Sequence, residues 1–361
     1  MKIGIDGSFW ASQRRGYDRY CFELARELDT LLPNAQFFVY SPRSIKLPIM
    51  SDRWQLRTAG SKLAVSPISW LKIVGSYLAR RDKLDVFWGT AYFLPYLSQT
   101  TKQILTIHDF WYQISPKSTH WLHVLAQRIF LKSEIRRADA LVTNSQGTAT
   151  RLYSFTGHKS TVILPAINEL FQPQSQSQVD PVLQRFGIDT PYLLNVATWE
   201  PRKNVGLLVK TFIGMKQVGL IPNHKLLLVG KKGWDYAYIQ ALIADSGLKQ
   251  IIALDYVPDE FLPGLYAGAD LFVFPSIYEG FGMPLLEARA CGTQSVATDI
   301  TELREAGGSD TTYIQPTEEG LRAGILAALR KPKTPPKSTA MPTWQAGAQT
   351  LANIIIEAAQ R

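Results

Sequence analysis

Residues 278–292 read YEGFGMPLLEARACG and follow the run ADLFVFP at 269–275. The apolar run has the length of a fully buried strand, and Pro284 suits the first position of a helix. The stretch therefore reads as strand, glycine-rich loop and helix. A helix N-terminus leaves its first N–H groups unpaired and carries partial positive charge, so the amides of Phe281, Gly282 and Met283 are offered to a ligand. Glu279 in the loop and Glu287 near the end of the first helical turn bracket those amides. A simple anion fits poorly between two carboxylates. A nucleoside diphosphate sugar fits better, with phosphate at the amides and the hydroxyls of sugar and ribose at the carboxylates.

The same alternation extends outward in both directions. Buried-strand patterns at 2–6, 36–41, 85–89, 103–108, 140–145 and 161–165 alternate with helical ones, including 17–31 and 120–137. After a polar, aperiodic stretch at 172–180, strand patterns resume at 192–197, 225–230, 251–256, 269–275 and 294–298. The proline-rich run KPKTPPK at 331–337 precedes a last helix over 343–360. The expected organisation is two Rossmann-like, doubly wound α/β domains with parallel sheets, at 1–170 and 171–340, and a C-terminal helix at 341–361 that packs back on the first. Open parallel sheets take ligands beyond the carboxyl ends of their strands, so a site is expected in a cleft that the two domains face.

The 361 residues, 46% of them apolar, exceed what one core usually fills. Cys21 and Cys291 have neither metal-type spacing nor a disulfide pattern, and read as buried thiols in a reducing compartment. No apolar run is long enough to span a bilayer and no leader pattern opens the chain, so a cytoplasmic location is expected. Residues 1–170 carry 22 Lys/Arg and 12 Asp/Glu, net +10, against 17 and 18 in 171–361, net −1; together these recover the whole-chain +9. The basic half suits an anionic membrane surface or acceptor better than nucleic acid, for which no recognition module is present. Two basic segments with aromatics, 70–83 and 120–132, read as amphipathic helices that either face the core or lie at a membrane interface.

Other chemical signals lie where strands give way to helices. Arg202 and Lys203 stand at a helix start, against the dipole preference, and so face an anion or only solvent. Gly230 and Lys231 form either a second ligand loop or a polar turn. His108 ends a strand, where a histidine touches substrate or serves the core. Gly16 marks a close backbone approach or an ordinary loop.

The segments at 279–287, 200–204 (EPRKN) and 256–259 (YVPD), with 3–6, 85–89, 106–109 and 137–145 in the first half, resemble the retaining, GT-B-type glycosyltransferases of family 4, group 1. The resemblance covers nearly the whole chain. It implies that Glu287 holds the ribose hydroxyls and that Glu279 meets the donor sugar. The amides of Phe281, Gly282, Met283 and Leu285 would hold sugar and phosphate, Arg202 and Lys203 would neutralise the diphosphate, and Tyr256 and Val257 would line the base pocket. His108 would sit beside the transferred sugar, and a glycan or lipid-linked glycan acceptor would enter from the first domain.

Two positions depart from the family's pattern. Asp18 stands where a second glycine is usual, either turned toward Arg14, Arg15 or Arg19 or serving the acceptor. Ala197 or Thr198 takes the place of an arginine. No Asp-x-Asp occurs in the sequence, so cations rather than a metal are expected to stabilise the leaving diphosphate, and no cofactor is expected beyond the co-substrate. The donor is expected to be a UDP-hexose first and GDP-mannose second. A nucleotide-sugar epimerase, a phosphorylase and a non-catalytic nucleotide-sugar binder remain as alternatives.

Overall fold

The structure, a computed structural model, describes residues 1–10, 16–58, 66–115, 121–188, 191–332 and 341–361. They form two compact units, Met1–Ala166 with Met341–Arg361, and Ile167–Ala340.

The first unit holds strands β1 (Lys2–Asp6), β2 (Gln36–Tyr40), β3 (Trp54–Arg57), β4 (Val86–Gly89), β5 (Lys102–Ile107), β6 (Ala140–Thr143) and β7 (Thr161–Val162). Every pairing is parallel and the order is β3-β2-β1-β4-β5-β6-β7. Strand periodicity sends alternate side chains to opposite faces. Ile3, Ile5, Phe37, Val39, Val86 and Trp88 enter one core, while Phe38, Tyr40, Phe87, Leu105 and Ile107 enter the other. Helix Trp344–Gln360 brings Trp344, Ala348, Leu351, Ala352 and Ile355 onto the first core at helical spacing, beside Cys21, Leu24, Ala25 and Leu28 of helix Gly16–Leu31.

The second unit holds β8 (Tyr192–Val196), β9 (Lys225–Val229), β10 (Ile251–Leu254), β11 (Leu271–Phe274), β12 (Ser295–Thr298) and β13 (Thr312–Ile314), all parallel, in the order β10-β9-β8-β11-β12-β13. Both sheets start at an inner strand, wind one way and then reverse. Their switch points lie between β1 and β4 and between β8 and β11, the positions at which doubly wound sheets bind ligands.

Three details differ from the sequence reading. Strands β3 and β13 fall outside it, because both are short edge strands without an apolar run; β3 is held by Trp54 stacked on Phe37 at 4.3 Å. Half of the presumed linker is helix, Gln176–Arg185, started by a capping box between Ser175 and Gln178. Residues 70–83 form no continuous α-helix: a π-turn, Leu71–Gly75, joins Pro67–Trp70 to Ser76–Asp82 and turns Lys72 inward. The helix placed at 120–137 runs Trp121–Arg137; His120, like Arg14 and Arg15, lies outside the described residues.

Candidate active site

In the second unit the site is built where β8 and β11 end. After β11 the chain runs through Ser276, Tyr278 and Glu279, all buried, to Gly282, which caps helix Met283–Ala290. The helix thus starts one residue before Pro284, which occupies its first turn. Gly282 has φ of 108°, and a Cβ there would meet Leu303 Cδ2 at 2.6 Å. Only glycine satisfies both constraints, so the turn that aims the 281–285 amides requires it.

The loop after β8 folds as a 3-10 turn, Pro201–Lys203, followed by Asn204 in the left-handed region and helix Val205–Gln217. The Ile277 amide donates to the Arg202 carbonyl at 2.8 Å, tying the two loops together. Their side chains meet: Lys203 Nζ lies 2.5 Å from Glu279 Oε1, Arg202 reaches Glu279 Oε2 at 3.2 Å, and Arg202 Nε donates to Glu200 at 2.9 Å. Burial alone would raise the Glu279 carboxyl, but Lys203 and Arg202 outweigh it and hold Glu279 below its ordinary value. Burial pulls the Lys203 ammonium down, against the attraction of Glu279. The anion that these cations face in this structure is therefore a protein carboxylate. Two cations meet two carboxylates, Glu200 and Glu279, at the switch point, so the cluster carries no surplus charge and an incoming diphosphate competes with these carboxylates for Arg202 and Lys203.

Glu287 stands on the following helix and accepts from the Tyr266 hydroxyl at 3.0 Å. Burial and the Glu287 charge push the neighbouring Cys291 thiol up to about 12, so Cys291 is an inert part of the core. Gly230, after β9, has φ of 146°, and a Cβ there would lie 2.0 Å from the Ala197 carbonyl oxygen. Its glycine is required by the packing of two protein loops on each other. Lys231 lies 5.5 Å over the half-exposed Tyr256 ring, and the next residue, Val257, is buried. A pocket of about 110 Å³ between the ends of β8, β9 and β10 is lined by Trp199, Gly230, Tyr236, Ala253, Leu254 and Asp255, with Trp199 and Tyr236 stacked at 5.5 Å. The sequence reading did not single out Trp199 or Tyr236, because neither lies in a recognisable motif.

Two sequence-derived candidates lie in the first unit. Gly16 is the first residue of helix Gly16–Leu31, and Asp18 is buried in that helix's first turn. His108 follows β5 and is buried, with Nε2 2.7 Å from the Thr90 carbonyl and the Tyr17, Tyr20 and Tyr92 rings around it. Burial lowers its pKa to about 4, so the imidazole is neutral. The Thr90 carbonyl can only accept, so Nε2 carries the proton and Nδ1 is an acceptor. Among the described residues, no group of three His, Cys, Asp or Glu side chains is placed to hold a metal ion.

Residues 183–339 match the family model described as glycosyl transferases group 1. The O-antigen chain mannosyltransferase B of Escherichia coli is 31% identical over 265 residues, which cover 70% of this chain and 67% of that protein. The serotype-specific mannosyltransferase WbdA of Escherichia coli is 30% identical over 51% of this chain, a match that spans 23% of that longer protein. The solved structure of WaaG, a glycosyltransferase involved in lipopolysaccharide biosynthesis, superposes with a TM-score of 0.69 and 17% identity, over 100% of this chain and 99% of that one.

Proposed function

The chain belongs to the group 1 glycosyl transferases and is a glycosyltransferase of GT-B fold, and from that premise we propose that it moves a mannosyl unit from GDP-mannose to a growing glycan. The acceptor is a glycan or lipid-linked glycan of O-antigen type, the configuration at the anomeric carbon is retained, and no metal takes part. The named activities of the mannosyltransferase relatives move GDP-mannose ahead of the UDP-sugar that general frequency put first.

The observation that carries this reading is the Lys203–Glu279–Arg202 cluster at the switch point of the second sheet. As the bond from the anomeric carbon to phosphate breaks, negative charge grows on the diphosphate and the sugar becomes oxocarbenium-like. Lys203, Arg202 and the amides at the start of helix Met283–Ala290 stabilise that charge without reorganising. The Glu279 carboxylate fixes the two cations and lies close enough to them to meet the donor sugar. Glu287, held by Tyr266, takes the ribose hydroxyls, and the Tyr256–Val257 loop takes the base. Metal independence rests on this cation pair together with the lack of Asp-x-Asp in the sequence.

Among the described residues no helix is long and apolar enough to cross a membrane. A peripheral contact with an anionic inner leaflet fits the first unit. Ile73 and Tyr77 are exposed on one segment, beside Arg80 and Arg81. Trp121, Leu125 and Ile129 are exposed at four-residue intervals on helix Trp121–Arg137, beside Arg128 and Lys132. The buried Lys72 bonds Glu134 at 2.5 Å and so fastens the first segment to that helix. Apolar side chains rimmed by cations suit the boundary between headgroups and acyl chains.

A thermal-shift panel of GDP-mannose, UDP-glucose, ADP-glucose and dTDP-glucose, with and without EDTA, tests the reading. GDP-mannose should raise the melting temperature, and EDTA should leave the rise intact. If no nucleotide sugar shifts the transition, or chelation abolishes the shift, the reading is wrong.

A further inference from the structure

Glu279 is the shared partner of both cations at the end of β8. Lys203 Nζ lies 2.5 Å from one of its oxygens and Arg202 reaches the other at 3.2 Å. Lys203 is itself buried, with Nζ 5.2 Å over the Phe274 ring. Arg202 has a second counter-ion, because its Nε donates to Glu200 at 2.9 Å. The two carboxylates differ in their access to water: the Glu279 side chain is 6% exposed and that of Glu200 31%.

Burial and charge pull in opposite directions on Glu279. Burial disfavours the carboxylate, while Lys203, Arg202 and the neighbouring Ser276 hydroxyl favour it and prevail. A diphosphate held by the same cations upsets that balance. It brings fresh negative charge beside Glu279 and draws N–H groups of Lys203 and Arg202 toward its own oxygens, so the carboxylate gains repulsion and loses attraction while its burial stays. Water can go on solvating Glu200, so the cost falls on Glu279. The other carboxylates around this loop are Glu287, bonded to Tyr266, and Glu302, buried on helix Thr301–Gly307, whose Leu303 stands against Gly282.

We propose that binding of a nucleoside diphosphate sugar at Arg202 and Lys203 is coupled to the uptake of one proton from solvent by Glu279, with Glu200 left as the counter-ion of Arg202. This rests on the glycosyl-transfer reading and adds to it a pH dependence of donor binding. The exchange belongs to binding and precedes the breaking of the bond between sugar and phosphate. In the complex Glu279 offers the donor sugar an O–H as well as an acceptor oxygen. The proton can leave again as positive charge grows on the sugar, a step that a glutamine cannot copy. Because the complex holds one proton more than the free protein, donor affinity rises as pH falls, by up to about tenfold per pH unit between the pKa of Glu279 in the free protein and its higher value in the complex.

Calorimetric titration of the full chain with GDP-mannose at pH 5, 6 and 7, each in two buffers of different ionisation heat, counts the protons taken up. GDP-mannose keeps both phosphate charges over this range, whereas bare GDP ends in a phosphate that titrates at about pH 6 and would obscure the count. Uptake should grow from pH 7 to pH 5 and reach roughly half a proton or more at pH 5, with affinity rising about two- to tenfold over the same interval. Glu279→Gln should bind GDP-mannose without proton uptake and with an affinity that pH leaves unchanged, while Glu200→Gln should keep the uptake. Uptake that persists in Glu279→Gln, or that disappears in Glu200→Gln, places the proton elsewhere and overturns the proposal, as does binding to wild type with no uptake or with release. Should Glu279→Gln fail to fold, the infrared difference spectrum of wild type with and without GDP-mannose at pH 5 serves in its place. It should gain the C=O band of a protonated carboxyl, and a spectrum without that band contradicts the proposal. If GDP-mannose does not bind, UDP-glucose carries the same diphosphate and judges the coupling in the same way. Binding of neither removes the donor reading and this inference with it, whereas binding without uptake overturns this inference alone.

Discussion

Replacing Asp6 with asparagine should change how stability depends on pH, by an amount that the burial of this carboxyl sets. Asp6 is fully buried, and desolvation pushes its pKa from 3.8 to about 6, with Ser8 opposing. A carboxyl whose pKa is higher folded than unfolded binds its proton more tightly in the native state. Its contribution to stability is therefore fully present below pH 3.8 and is lost as pH rises through about 6. Roughly two pH units at ~1.36 kcal/mol each give a loss of about 3 kcal/mol between acid and neutral pH. Asparagine has no such titration. Stability of Asp6→Asn minus wild type should then climb by about 2.4 kcal/mol from pH 4 to pH 7.5, whatever constant offset the new amide introduces. His108 titrates in the same neighbourhood but is shared by both proteins and cancels in the difference. Urea unfolding followed by tryptophan fluorescence across that range measures it, taking the transition that reports the first unit. A difference flat to within about 0.5 kcal/mol would refute the claim that burial raises the pKa of the Asp6 carboxyl.

Lys203→Ala should weaken GDP binding by roughly 1.5–3 kcal/mol, measured by calorimetry, because it removes a charged donor from the diphosphate site. It should also destabilise the second unit, since a buried carboxylate loses a partner; the Lys203→Met/Glu279→Gln pair should be less destabilised than the two single changes added together. Glu279→Gln should cut turnover heavily in a mannosyl-transfer assay while changing GDP affinity only a few-fold, whereas equal losses of both would reject a role at the sugar. Gly282→Ala should lower the melting temperature and weaken nucleotide binding together, because φ of 108° and the Leu303 side chain at 2.6 Å both oppose a Cβ; a variant with normal binding would show that the turn is not needed. An Arg80/Arg81/Lys83→Glu variant should release the protein from anionic vesicles at low salt, as co-sedimentation reads, and equal sedimentation of variant and wild type would dismiss the membrane face.

The strands that carry the site were legible in the sequence because they are buried on both faces and read as unbroken apolar runs. This holds for β8, β9 and β11. The glycine-rich loop after β11 was legible for a related reason: Gly282 and Pro284 are dictated by backbone geometry, which leaves a mark on residue identity. Strands β3 and β13 left no such mark, being short and at sheet edges. The pairing of Glu279 with Lys203 was not legible either. The two stand 76 positions apart, and only the adjacency of β8 and β11 brings them together. Asp6 was visible as the end of a strand, but its burial was not, nor the bond from Thr90, 84 positions away, to its main-chain carbonyl. Lys72 was not legible as an inward-facing residue, since its burial against Glu134 comes with a π-turn in a segment where a regular amphipathic helix was expected.

Transfer itself is tested most directly by incubating the protein with GDP-[13C]mannose and a mannosyl acceptor in EDTA and following the anomeric carbon by NMR. The account expects GDP to be released and the label to appear in a new glycosidic bond with the donor's α configuration, at a rate that EDTA leaves unchanged and Lys203→Ala depresses. Label that stays on the nucleotide, is converted there without acceptor, or moves only when a divalent cation is restored would contradict it.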